Sequence, residues 1–478
     1  MHSFRKSLAT RREMLTQSAN GFGMLALSAM LAEEAKADVK INAPIQDPLA
    51  PKAPQFPAKA KRVIFLFMHG GPSQVDTFDY KPLLERDDGK PLPFNKPRVV
   101  SGQTGNPLKS PWSFKQHGQS GAWASELFPE IASHADDICF IKSMYGSNSR
   151  HGGALLELHT GSDTFVRPSM GSWVTYGLGT ENRNLPGFIT VCPTLSHGAE
   201  NNFSSAFLPA IYQGTPVGNA GTPSDKAKIP FITGDTPTQL QRMEIDFFNR
   251  MNRERLQVTG PDNGLEGRID SFELAFRMQA TAPQLQDLSN ETPLTQKLYG
   301  LDDPATANYG RQCLMARRFA EAGVRFIQIS HSYKWDQHGN LRKDHAKNAR
   351  EVDRPIAGLL YDLKQRGLLE DTLVWWGGEF GRTIYSQGGL SADNYGRDHH
   401  PRCFTVLMAG AGVNKGTTYG ETDDFSYNIV KDGVHVHDLN ATILHLMGVE
   451  HTRLTYRYQG RDFRLTDIHG EVVKKLLA

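Results

Sequence analysis

Val63-Ile64-Phe65-Leu66-Phe67-Met68, followed at once by His69-Gly70-Gly71-Pro72-Ser73, is the stretch that decides the fold. A continuous apolar run bounded by turn residues reads as a strand buried on both faces, because a half-exposed strand would alternate apolar and polar positions. Similar runs recur at Ile138–Ile141, Phe188–Val191, Val324–Ile329, Thr372–Trp376 and Phe404–Met408. Helical patterns lie between them at Gly153–His159, Arg311–Ala322, His345–Arg366 and Asp438–Met447, the last with Asp438 as N-cap and Gly448 as its stop. Strands alternating with helices predict an α/β fold, a mostly parallel central sheet sandwiched by helices. Thr236–Gln286 is charged and helical, and reads as an inserted cap; Ser196–Lys228, rich in Gly, Pro, Asn and Ser, reads as a long loop.

In such sheets ligands bind just beyond the carboxyl ends of the strands, and the polar residues gather there. The first run ends in His69, with Asp76 and Asp79 following. The run near Ile329 leads into His331 and then Trp335-Asp336-Gln337-His338. The run at Thr372 ends in Gly377-Gly378-Glu379-Phe380-Gly381-Arg382, and Arg397-Asp398-His399-His400 precede the run at Phe404. Taken alone, a strand-end His is more often a hydrogen-bonded structural residue than a ligand. Together they put His, Asp and Glu at one edge, where unpaired burial is expensive and a divalent cation is the simplest compensation.

The ends and the bulk of the 478-residue chain set further bounds. Arg11-Arg12 stand before a short apolar run, Gly21–Leu31, and Ala35-Lys36-Ala37 offers a small-x-small cleavage pattern. Residues 1–37 therefore read as a twin-arginine signal peptide, which implies the twin-arginine translocation machinery as a partner and a periplasmic or extracellular location. The run is too short to span a hydrocarbon core of about 30 Å. Five prolines between 38 and 61 read as an extended, poorly folded linker, and 62–478 as the folded domain, with the helical insertion near 236–286. Lys and Arg total 53 against 51 Asp and Glu, and no basic run stands out, which argues against nucleic acid. No later stretch is apolar enough for a stable membrane span. The four cysteines lack metal-type spacing and read as buried thiols, with one disulfide an open alternative.

HGGPSQVDTFD (69–79), GGALLELHTG (152–161), WDQH (335–338), GGEFGRT (377–383), GRDHHP (396–401), YGETDD (419–424), DLNATILHLMGV (438–449) and YQGRDFRLTD (458–467) together resemble one family. It is the sulfatase-like family of twin-arginine-exported proteins, domain of unknown function 1501, in the alkaline phosphatase superfamily. The resemblance covers nearly all of 62–478 and implies an alkaline phosphatase/sulfatase-like fold around a metal-centred hydrolytic site. It implies two metal clusters, His69, His151 and Glu379, then Asp336, His338 and His399, holding a divalent metal, two ions of zinc, manganese, iron or calcium. His69-Gly70 stands where sulfatases carry an Asp pair. Counting back from Thr160-Gly161, His151 stands where they carry Cys or Ser. Gly378-Glu379-Phe380-Gly381 keeps a carboxylate and loses a His.

The nucleophile is therefore the departure that matters. Two routes remain: attack by a water that the metal acidifies, or attack by His151 itself. The first is preferred, because a His flanked by candidate ligands is more simply a ligand. Arg150, Arg382 and Arg397 are candidates to clamp an anionic ester. The expectation is an exported, metal-dependent hydrolase of phosphate or sulfate esters, acting on a small anionic ester or a sulfated polysaccharide. The alternative is a non-catalytic, sulfatase-like protein that binds an anionic polysaccharide.

Overall fold

Strand β1 (Arg62–Met68) lies inside the central sheet, as its unbroken apolar run requires, and is buried along its whole length. The remaining strands of this nine-stranded sheet are β2 (Ile138–Tyr145), β3 (Phe188–Val191), β4 (Thr215–Val217), β5 (Phe326–His331), β6 (Thr372–Gly377), β7 (Phe404–Ala409), β8 (Thr417–Tyr419) and β9 (Val434–His435). Their order is β8-β2-β7-β6-β1-β5-β3-β4, with β9 also paired to β2. All pairs are parallel except those of β7, which runs antiparallel to β6 and β2. The predicted fold class is the one observed. The computed structural model describes residues 47–95, 104–233, 236–260, 262–388, 390–391 and 394–478, so the signal-peptide reading of residues 1–37 lies outside the described residues.

Helices α1 (His151–Thr160), α2 (Met170–Leu178), α3 (Thr238–Thr259), α4 (Asn263–Gln286), α5 (Ala307–Glu321), α6 (Leu341–Gln365) and α7 (Val436–Leu446) account for the helical layers. Strands β1, β3, β5, β6 and β7 are buried at every residue, so both faces of the sheet are covered. The charged segment read as a helical cap forms α3 and α4, tied by Arg242, which meets Glu273 from Nη1 at 2.9 Å and Nη2 at 2.7 Å. The four cysteines are free and buried. Among the described residues no helix is long and apolar enough to cross a membrane.

Two expectations need correction. Residues 48–61 are not poorly folded. Their backbone N–H groups donate to the domain, Lys52 to Leu178 O, Gln55 to Gly448 O, and Lys59 and Ala60 to Leu446 O, while Leu49 and Ala60 are buried. Prolines make that stretch extended, and the surface then satisfies its remaining donors. The loop 196–228 also supplies a strand, β4, too short for a periodicity to show in sequence.

Register places the functional edge. Met68 of β1 pairs with His331 of β5, and Phe67 with Gly377 of β6, so the three central strands end level. The chain leaving β6 makes a short antiparallel ladder, Gly381 with His400 and Arg382 with His399, and then returns as β7. Because β7 runs backwards, the residues before it, not those after it, reach the carboxyl edge of the sheet.

Candidate metal centre

Five segments converge beyond the ends of β1, β5 and β6. Gly70, at φ +116°, lets the 335–336 backbone lie against the end of β1: a Cβ there would stand 2.5 Å from Asp336 N. Trp335 N–H donates to His69 O at 3.1 Å, which locks that approach. His151 opens α1, and His399 sits in the return ladder to β7. The strand ends thus aim side chains from positions 69, 151, 336, 338, 379 and 399 at one place.

Asp336 is the centre of the cluster. Its Oδ1 lies 3.3 Å from His151 Nε2, 3.0 Å from His338 Nε2 and 3.2 Å from His399 Nε2. The two imidazole nitrogens of His338 and His399 are themselves only 3.0 Å apart. The far nitrogens explain why. His399 Nδ1 is 2.8 Å from Ser149 O, and His151 Nδ1 is 2.6 Å from Glu379 Oε1; both partners are acceptors, so both Nδ1 atoms carry the proton. When the rings are neutral, the Nε2 atoms of His151 and His399 therefore present lone pairs toward a carboxylate oxygen. Lone pairs meeting at about 3 Å repel one another until a proton or a cation stands between them. His151 Nε2 has no hydrogen-bond partner among the described residues. Nitrogen and carboxylate donors of this kind suit a divalent transition metal, so the residue set fits the cation that the motifs implied.

The two clusters sketched from sequence are one continuous site, joined through His151. His69 is fully buried at the far side, its Nε2 3.4 Å from His197 Nδ1, and donor atoms of His69, His151 and His197 all lie within 4.8 Å of one another. His197 and Tyr333 were missed in the sequence. Tyr333 donates its hydroxyl to Asp336 Oδ2 at 3.3 Å, and His197 comes from the long loop at φ +50°. A His inside a Gly/Pro/Asn-rich loop was the available signal.

Glu379, expected as a ligand, accepts from Gly70 N–H at 3.0 and 3.1 Å and from His151 Nδ1. It orients His151 rather than reaching the cluster. Arg382 and Arg397, expected to clamp an ester, are held inside the fold. Arg382 donates to the carbonyls of Gly70, Gly71 (3.1 Å) and Arg397 (3.2 Å) and to Asp336 Oδ1 at 2.6 Å. Arg397 makes a buried bidentate pair with Asp76, Nε to Oδ2 at 2.6 Å and Nη2 to Oδ1 at 3.0 Å. Arg150 is exposed, and its side chain makes no ion pair or hydrogen bond among the described residues.

The electrostatics follow the geometry. Burial pushes His69 down to about 4 and also lowers His197 and His399. Burial would lower His151 too, but the carboxylates of Asp336 and Glu379 outweigh it and raise the ring above the ordinary value. Asp336 is driven well below the usual carboxylate range, the imidazoles of His151, His338 and His399 overcoming its burial. Glu379, although buried, is held down to about 2, chiefly by His151. The carboxylates are ionised at every physiological pH, so the site attracts cations.

A family model described as "Protein of unknown function (DUF1501)" matches residues 60–477. The chain belongs to this family. No curated protein matches it. Among solved structures it is similar to Ps i-CgsB in complex with k-i-k-neocarrahexaose, at 11% identity and TM-score 0.38 over 81% of this chain and 72% of that one. It is similar to a protein in the alkaline phosphatase superfamily from Vibrio parahaemolyticus, at 10% identity and TM-score 0.35 over 87% and 74%. It is also similar to alkaline phosphatase from the Antarctic bacterium TAB5, at 11% identity and TM-score 0.34 over 83% and 99%.

Proposed function

We propose that this protein is an exported, metal-dependent hydrolase of phosphate or sulfate esters. The observation that carries the reading is the convergence of three imidazole Nε2 atoms on Asp336 Oδ1 at 3.0–3.3 Å, two of them with their protons fixed on the opposite nitrogen. His151, Asp336, His338 and His399 would hold the first divalent cation, and His69 and His197, beside His151, a second. A cation there would polarise an ester oxygen and acidify a water molecule, which supplies the nucleophile that the sequence lacks. Glu379 keeps the proton on His151 Nδ1, so Nε2 is reserved for the cation and His151 is a ligand rather than a nucleophile. Arg382 donates to the same Asp336 Oδ1 and fixes its place among the imidazoles, and Arg150 is the guanidinium left to meet the ester anion.

The non-catalytic reading is favoured by one observation: Arg382 and Arg397 are both engaged within the fold. One experiment separates the two. The purified protein should contain a divalent metal by mass spectrometric analysis and should hydrolyse aryl phosphate or aryl sulfate. His151→Ala should lose metal and turnover together, and a rapid quench of the unaltered protein should trap no histidine adduct. Bound metal with no turnover on either ester would sink the hydrolase and leave the binding protein. Export is tested separately by changing Arg11 and Arg12 to Lys, which should leave uncleaved precursor in the cytoplasm.

A further inference from the structure

Of the 22 residues of α3 only Asn249 is buried, although the helix is two-sided. Its less exposed side is Arg242, Ile245, Asn249, Asn252 and Leu256, at the i, i+3, i+7, i+10, i+14 spacing of one helix face. That side lies on α4. Arg242 and Asn249 both reach Glu273, Asn249 Nδ2 donating to Oε1 at 2.6 Å, and the Arg242 guanidinium stands 5.0 Å from the centre of the Phe276 ring. α4 in turn is tied to the rest of the domain: Arg277 Nε donates to Arg183 O at 2.8 Å, and Arg318 Nη2 to Gln284 O at 2.9 Å. α3 is therefore the outer helix of an anchored hairpin.

Its other side is apolar and uncovered. Leu240, Met243, Phe247, Phe248, Met251 and Val258 are 48–88% exposed. Apart from Phe248 at its edge, they form a stripe about 180° around the helix from the side that meets α4. A large apolar side chain at half exposure shows on the order of 100 Å², so the whole stripe shows on the order of 600 Å². That is at the top of the range for a protein that stays monomeric. With the charged stems at its edges it approaches the roughly 800 Å² per partner of a standard interface.

We infer that this stripe seats a second copy of the chain, the two α3 helices packing antiparallel across a two-fold axis. Such an interface has to be self-complementary, and the order of residues along the stripe is. Reversed about position 249, Leu240 of one chain falls opposite Val258 of the other, and Phe247 opposite Met251. The edge charges agree. Glu244 and Arg255 are exposed along the same edge of the stripe, and the reversal brings Glu244 of each chain to the level of Arg255 in the other. A lipid surface fits less well, because membrane-lying stripes are flanked by Lys and Arg. Here Glu254 interrupts the stripe one turn on from Arg250, an acid that a helix pair leaves at its rim beside that arginine and that lipid would bury.

Sedimentation of the purified, metal-loaded protein from about 1 to 50 μM tests this, since the dimer must form by mass action. Phe247→Glu with Met251→Glu should raise the dimer Kd at least about a hundredfold. Metal content, and the denaturation midpoint of the dilute protein, should not change, because neither side chain belongs to the core or the metal centre. Glu244→Arg should weaken the dimer several-fold, and adding Arg255→Glu should recover it. Leu240→Cys with Val258→Cys should join two chains by a disulfide on mild oxidation, the native thiols being buried. Leu240→Cys alone should not, because antiparallel packing sets the two copies of position 240 about 27 Å apart. A monomer at every concentration, or a dimer untouched by the double Glu variant, would overturn the inference. So would a charge swap that fails to recover the dimer, or cross-linking by Leu240→Cys alone. Co-sedimentation of a monomeric protein with phospholipid vesicles, lost in the double Glu variant, would also overturn it and give the face to a membrane. None of these outcomes depends on whether an ester is hydrolysed at the metal centre.

Discussion

Two groups of histidines sit on one loop and its flanks, and they differ in a way that burial alone does not reveal. His331, at the end of β5, accepts from Trp335 Nε1 at 2.9 Å on one nitrogen and donates to Glu351 at 2.8 Å from the other. His345 pairs through Nδ1 with Gln337 Oε1 at 2.9 Å and is fully buried, its Nε2 without a hydrogen-bond partner among the described residues. His331 ends a strand and His345 lies within α6; both are buried, and burial lowers each of them to about 4. Around Asp336, His151 and His399 are also buried or nearly so, but each has one nitrogen tied and the other facing Asp336. What marks a histidine as a ligand is a free nitrogen that faces a carboxylate shared with other imidazoles, which neither His331 nor His345 has. Arg397 teaches the same lesson for cations: paired with Asp76 and donating also to the carbonyls of Thr383 and Leu108, it is structural.

The contrast breaks first if the centre of the cluster does not matter. Asp336→Asn should lower metal content at least tenfold and turnover on aryl esters by roughly a thousandfold, because a carboxylate ligand and the focus of three imidazoles are lost together. Metal analysis and initial rates read this directly, and retention of both would reduce the cluster to structural histidines.

Arg397→Met examines the opposite side. Removing one partner of a fully buried bidentate pair should cost about 3–5 kcal/mol of stability. The denaturation midpoint should fall, while any folded fraction should still bind metal. Loss of metal with unchanged stability would mean that Arg397 belongs to the site after all.

Acid should destabilise through His331 and His345, which burial keeps neutral. His331 and His345 have folded pKa values of about 4, below the unfolded value of about 6.5, so between those limits only the unfolded chain binds their protons. Stability is thus whole above about pH 6.5 and falls as pH drops toward 4, by on the order of 3 kcal/mol for each ring. Denaturant midpoints across that range measure it. His345→Gln should flatten the slope, and an unchanged slope would show that the ring is not held neutral.

The finest probe is Glu379→Gln. The amide still accepts from His151 Nδ1 but brings no charge, so metal affinity or activity should fall by about 10–100-fold with little change in fold. A drop as large as that of Asp336→Asn would make Glu379 a ligand in its own right.

The strands were legible because buried parallel strands must be continuously apolar, and Val63–Met68, Thr372–Trp376 and Phe404–Met408 are. The residues clustered at their ends were legible for a related reason: short motifs keep His69, Asp336, His338, Glu379 and His399 next to the strands that aim them. Direction and pairing were not. Nothing in Phe404–Ala409 says that it runs antiparallel, yet that reversal is what carries His399 to the site edge. Nor does any local pattern link Arg397 to Asp76, 321 positions away, or give Glu379 to His151, 228 positions away. A strand declares its burial through its own side chains, whereas the use of a charge or a lone pair is settled by whichever neighbour the packed sheet brings within about 3 Å.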